Sequence, residues 1–247
     1  MLAVLVGGLV VAGIAGARSG VFARDHARAS TVQDALRRFR QGDRQARALE
    51  GVYSAATTGT ESVDALGGAR HRYPATTSLT ALRTGCGLAL EWRPLQDRAD
   101  TWTLCSTPAG IELASSSEQH RFFFQSDTTT YRCSGALLLP ADAGTPSAPR
   151  PFSCQAAKAR LDGTAVSLGR VTLSVAGRSV VAEHVRTIAT VSGQNQGTER
   201  TDWWLDTRTG LPVRVLLANR TSRKTIVGQA HYREDADLRL ASLEPRR

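Results

Sequence analysis

Lysine is nearly missing from this chain. Only Lys158 and Lys224 occur among 31 basic residues, so arginine carries almost all of the positive charge behind the net +9. That bias, with abundant alanine and glycine, fits codon pressure from a high-GC genome rather than selection for phosphate grip. Cysteine is absent before Cys86, and methionine occurs once. Catalytic and metal signatures are also missing. No two of the four cysteines sit at C-x2-C or C-x4-C spacing, which argues against a zinc site or a redox pair. The histidines are His26, His71, His120, His184 and His231. None lies in an H-E-x-x-H pattern, and there is neither a G-x-S-x-G elbow nor a phosphate loop. Each histidine reads as a surface or internally satisfied residue. The acidic pairs Glu61 with Asp64, and Glu234 with Asp235 near Asp237, read as turn chemistry. The expectation is a non-enzymatic protein with no catalytic residue, no metal ligand and no cofactor.

Charge is also missing from the first seventeen residues, Met1 to Ala17. Leu2 to Ile14 is an apolar run of signal-peptide length, and Ala15-Gly16-Ala17 fits a small-x-small cleavage site. As a helix, residues 1–17 would span roughly 25 Å, slightly short of a hydrocarbon core. The segment is expected to be a signal or a short membrane anchor. No basic residue precedes it, so a short basic leader is expected upstream of Met1. Arg18, Arg24 and Arg28 follow it instead, where the positive-inside rule would keep the body cytoplasmic. The cysteines and the strand-rich body outweigh that rule and place the body outside the cytoplasm, on the cell membrane or secreted if the segment is cleaved.

Residues 18–47 hold eight arginines against three aspartates, which concentrates the basic excess in a stalk running to residue 50. A nucleic-acid binder would more often carry its basic residues on the folded body, interleaved with aromatics, so no nucleic-acid partner is expected. Within the stalk, residues 30–41 predict one helix. Thr31 and Asp34 form a weak capping box, Val32, Leu36 and Phe39 make a narrow stripe, and Gly42 is a plausible stop. The helix would lie on anionic headgroups or pack its stripe on the body.

From Gly51 onward, short runs rich in threonine, valine and aromatics alternate with turn residues. Strands are expected at 52–58, 76–82, 88–92, 101–106, 111–114, 121–125, 129–132, 171–175, 179–191, 203–206, 211–218, 225–233 and 238–242. No long helical period appears. Residues 51–247 therefore predict one antiparallel β domain, with the proline-rich stretch 140–151 as a surface loop inside it. Cys86, Cys105, Cys133 and Cys154 form an even set suited to two disulfides in an oxidising compartment. Three pairings are possible. Cys86–Cys105 with Cys133–Cys154 is favoured because each closes a local loop.

Phe122-Phe123-Phe124 and Trp203-Trp204 place large apolar groups on both faces of a strand. A covering loop or helix would account for the second face, and so would an apolar binding surface. The stretch Trp203-Trp204-Leu205-Asp206-Thr207-Arg208-Thr209-Gly210-Leu211-Pro212-Val213-Arg214 resembles a hairpin of the lipoprotein-carrier superfamily. That group includes periplasmic lipoprotein carriers, the periplasmic regulator of sigma-E signalling and mycobacterial-type lipid-binding lipoproteins. The resemblance implies a strongly curved antiparallel half-barrel with helices plugging its concave side. Gly51-Val52-Tyr53, Thr58-Gly59-Thr60-Glu61, Tyr73-Pro74, Gly85-Cys86-Gly87 and Cys105 also resemble uncharacterised secreted or anchored proteins of high-GC Gram-positive bacteria. The chain departs from the carriers in lacking a lipobox cysteine. The functional expectation is a membrane-associated module that binds a lipid or other apolar ligand. The alternative is an interaction or sensing module contacting an envelope protein.

Overall fold

The computed structural model describes residues 27–41, 48–122, 125–142, 144, 146–225 and 228–247. The expected anchor, residues 1–17, lies outside them, as do residues 18–26 and 42–47 of the stalk. No described helix is long and apolar enough to cross a membrane.

One α-helix is described, α1 (Val32–Gln41). Its capping box is complete: the Asp34 amide donates to Thr31 Oγ1 at 3.1 Å, and the Thr31 amide donates to Asp34 Oδ2 at 3.0 Å. Ala35 and Leu36 are buried against Val52, with Val32 and Phe39 packed around them. The stripe therefore docks on the body.

Strands dominate the rest. They are β1 (Gly51–Val63), β2 (Ala69–Arg72), β3 (Thr76–Arg83), β4 (Gly87–Leu95), β5 (Arg98–Thr107), β6 (Gly110–Phe122) and β7 (Gln125–Ser134). Then follow β8 (Leu137–Pro140), β9 (Arg150–Gln155), β10 (Ala159–Val175), β11 (Arg178–Gly193), β12 (Asn195–Asp206), β13 (Pro212–Thr225) and β14 (Gly228–Leu240). Every pairing is antiparallel. The sheet runs β1-β3-β4-β5-β6-β7-β9-β10-β11-β12-β13-β14, and β14 pairs back onto β1 from Ala55↔Leu240 to Val63↔Tyr232. The ladder thus closes into a ring. This corrects the open half-barrel: its two free edges are joined, because the first and last strands satisfy each other's backbone groups. Gly59 makes the closure possible. Its φ is +149°, and a Cβ there would lie 2.2 Å from the Asp235 carbonyl oxygen.

The interior is filled by side chains, not by the helical plugs the resemblance implied. Tyr53, Leu79, Leu90, Trp92, Trp102 and Trp203 belong to one buried cluster with the inward residues of β10 to β14. Leu138 and Leu139 of β8 add to it. α1 lies on the outside, because Val52 beneath it belongs to a separate buried cluster from inward Tyr53. The disulfides are Cys86–Cys105 and Cys133–Cys154. Arg150 and Pro151 of the proline-rich stretch belong to β9. Pro151 is tolerated because β7 pairs β9 only at Ser153–Gln155, so its missing N–H leaves no ladder bond unmade.

Candidate functional site

Strand period and register divide the lumen into levels. At one level Val185, Trp203, Val215, Leu238 and Thr57 lie side by side across β11, β12, β13, β14 and β1. Four residues back along β12, on the same face, the neighbours are Ala189, Glu199, Asn219, Glu234, Glu61 and His71. One level is apolar. The other sets three carboxylates, an amide and an imidazole in a row.

Facing that row are Arg98 and Asp100 of β5. Residues two apart on a strand share a face, so both side chains enter the lumen. Arg98 is buried and forks onto Asp100, with Nη1 at 2.7 Å from Oδ1 and Nη2 at 2.8 Å from Oδ2. Its Nη2 also donates to both Glu234 oxygens at 2.9 Å, and its Nε lies 3.5 Å from Glu61. Tyr73 donates its hydroxyl hydrogen bond to Glu234, and Asn219 donates to it at 3.1 Å. One buried cation is therefore shared among three carboxylates. Arginine suits this task, because its planar fork satisfies two carboxylates at once and does not deprotonate.

Glu61 collects the histidines. His71 Nδ1 lies 2.9 Å from Oε1, and His120 Nδ1 lies 3.3 Å from Oε2. Tyr232 donates to the same oxygen at 3.2 Å. Burial raises the Glu61 carboxyl, but the His120 and His71 hydrogen bonds and the Arg98 charge outweigh it and bring it down to about 2. His120 is pushed down by burial and by Arg98, yet Glu118 and Glu61 lift it to about 9. Phe122 closes this corner by stacking on His71, with ring centroids 4.9 Å apart.

Two cavities continue the polar level. The outer one, about 180 Å³, opens at the mouth beside Glu118, His120, Tyr131, Glu199 and Tyr232. The inner one, about 50 Å³, lies among Asp100, Trp102, Phe152, Glu199 and Trp203. Glu118, Glu199 and Asn219 line both. The Glu199 carboxyl has no hydrogen-bond or ion-pair partner among the described residues, and burial pushes it well above the usual carboxylate range, with Glu118, Asp100 and Glu234 adding. The indole N–H of buried Trp203 likewise lacks a partner. No set of three described residues is placed to hold a metal ion.

His71 lies on β2 and joins His120 at Glu61. His231 pairs outside with Asp64 at 2.7 Å, and His184 lies 2.9 Å from Asp202. His26 lies outside the described residues. Glu61 and Glu234, read as turn residues, are buried on strands. Trp203 turns inward, edge-on to Trp102 at 5.2 Å. Trp204 turns outward and is covered by His184 on one side and the Arg214 guanidinium on the other, 4.4 Å from the ring centre. Phe123 and Phe124 lie outside the described residues. The four cysteines take no part in the luminal network. Cys154 alone borders the inner cavity.

No family model matches the chain, and no curated protein matches it. Among solved structures it is similar to the hypothetical lipoprotein YmcC of Escherichia coli K12, at 15% identity over 84% of this chain and 96% of that one. The TM-score is 0.32, too low to carry fold detail or function across. The two disulfides fit an oxidising, extracytoplasmic location.

Proposed function

We propose that this protein is a non-enzymatic extracytoplasmic binding module that takes a small ligand into the carboxylate-lined mouth of its ring. It would be held to the membrane by the leading apolar segment. The observation that carries this reading is Glu199, a carboxyl lining two neighbouring cavities with no partner of its own among the described residues. Perturbed carboxyls in a concave polar site are the usual mark of a ligand site. The cavities, about 180 and 50 Å³, support a small polar ligand more than the lipid or other apolar ligand that the sequence suggested. Drug-sized ligands occupy pockets of about 300 Å³ or more.

Native mass spectrometry of the full-length protein, purified gently from an oxidising compartment, tests the reading. A stoichiometric small-molecule adduct that disappears in Glu199→Gln supports it. A clean apo mass, unchanged on incubation with an envelope extract, would overturn it. A second reading, an envelope protein-interaction module, draws on the exposed Val181 and Ile188 of β11.

A further inference from the structure

The mouth of the lumen holds more negative than positive charge. Glu61, Asp100, Glu118, Glu199 and Glu234 converge there, and Arg98 with His120 answers part of that charge. Glu61 and Glu234 are fully engaged by hydrogen bonds, and Asp100 by the Arg98 fork. Glu118 has only His120 near it, at 3.7 Å. Glu199 has nothing. The two carboxyls left with unused acceptors are the two that line both cavities.

The walls around them are aromatic. Tyr131 and Tyr232 flank the outer cavity, and Trp102, Phe152 and Trp203 the inner one. Aromatic faces beside carboxylates attract an organic cation twice, by charge and by the ring quadrupole. The far end carries a second demand. Trp203 lines the inner cavity, and its indole N–H is buried without a partner among the described residues, so it calls for an oxygen acceptor. Glu199 and Trp203 are four residues apart on one strand face, about 13 Å between Cα atoms. Their side chains converge on the cavity that both line.

We propose that the lumen binds a small organic ammonium ion, its charged end between Glu199 and Glu118 and an oxygen acceptor at its other end on the Trp203 indole N–H. This rests on the binding reading above and names its ligand class. The ionisable groups around Glu199 are Arg98 and Asp100 on β5, Glu118 and His120 on β6, Tyr131 on β7, and Tyr232 and Glu234 on β14. Burial raises the Glu199 carboxyl and an arriving cation lowers it again, so binding favours proton release.

The test is isothermal titration of full-length protein in detergent with 5-aminopentanol, in two buffers of different ionisation heat. Pentylamine, pentanol and calcium chloride are the comparators. Saturable 5-aminopentanol binding with proton release is expected, weaker binding of pentylamine, and none of pentanol. Glu199→Gln should weaken the probe roughly tenfold or more, the loss of one charge-assisted contact. Trp203→Phe should abolish the advantage over pentylamine. Asp235→Asn, at an exposed residue on the outer surface paired with Arg220, should change nothing. Should Glu199→Gln not fold, Glu118→Gln carries the same expectation. Absence of saturation by either amine, or equal affinities of Glu199→Gln and Asp235→Asn, overturns the proposal. So does calcium binding that Glu199→Gln removes. An adduct of other chemistry in the same lumen would preserve the binding reading and sink this one.

Discussion

The two levels of the lumen are built from the same strands, four residues apart, yet they are held by opposite means. At the level of Trp203 and Val215, stability comes from apolar area and close packing. At the level of Glu199 and Glu234 it comes from one arginine that makes an otherwise repulsive set of carboxylates tolerable. The comparison separates what keeps the ring filled from what leaves it able to bind. The apolar level leaves the Trp203 indole N–H, and the polar level the Glu199 carboxyl, without a partner among the described residues.

The largest effects break the two levels separately. Arg98→Ala should cost about 3–5 kcal/mol, because it leaves buried carboxylates uncompensated. Trp92→Ala, in the apolar filling, should cost about as much, roughly 3–5 kcal/mol, through a cavity and the lost hydrogen bond from its indole N–H to Thr77. Urea unfolding at two pH values tells them apart. The Arg98→Ala penalty should shrink at pH 4, where the orphaned carboxylates protonate, and the Trp92→Ala penalty should not. Equal penalties at both would refute the division.

Replacing Cys133 and Cys154 by serine should cost about 3 kcal/mol, since the bridge closes a loop of some twenty residues. Unfolding midpoints of the variant check this, and the loss should not depend on pH between 4 and 7.

An effect of similar size belongs to His120. Its folded pKa, about 9, stands above the value near 6.5 that it has when unfolded. Its contribution is therefore complete below about 6.5 and is lost as pH rises through 9, on the order of 3 kcal/mol. A melting series from pH 6 to 10 should fall across that window, and His120→Gln should flatten it. A variant with the wild-type slope would count against the Glu118–His120–Glu61 arrangement. The smallest effect is on stability in Glu199→Gln, a gain of roughly 0.5 kcal/mol or no change, because no partner is lost. A clear loss would mean that Glu199 is structural.

The β class, the antiparallel order and the α1 cap were legible because strand and cap signals are local. Ring closure was not. The pairing of β1 with β14 joins residues nearly two hundred positions apart, and nothing in either strand alone names its partner. The site hid for a related reason. Glu199 sits in Gln196–Thr201, polar on both faces, so period two could not say which face is inward. Arg98 and Asp100 did carry a signal, two opposite charges on one strand face, as did Glu118, His120 and Phe122 in alternation. Glu61 and Glu234 could be paired only by the closure itself, which places them directly opposite each other.

That closure also sets an order of events. A chain emerging amino terminus first presents β1 with an unsatisfied edge until Gly228–Leu240 arrives, and no intermediate length can seal the ring. Glu61 enters its final surroundings only then, since Arg98 must bridge it to Glu234 of the last strand. Completion of the ring is therefore a terminal act, because the distant pairing of β1 with β14 waits for the last strand. During that interval the open β1 edge is where a chaperone would act, or where a second chain would go wrong.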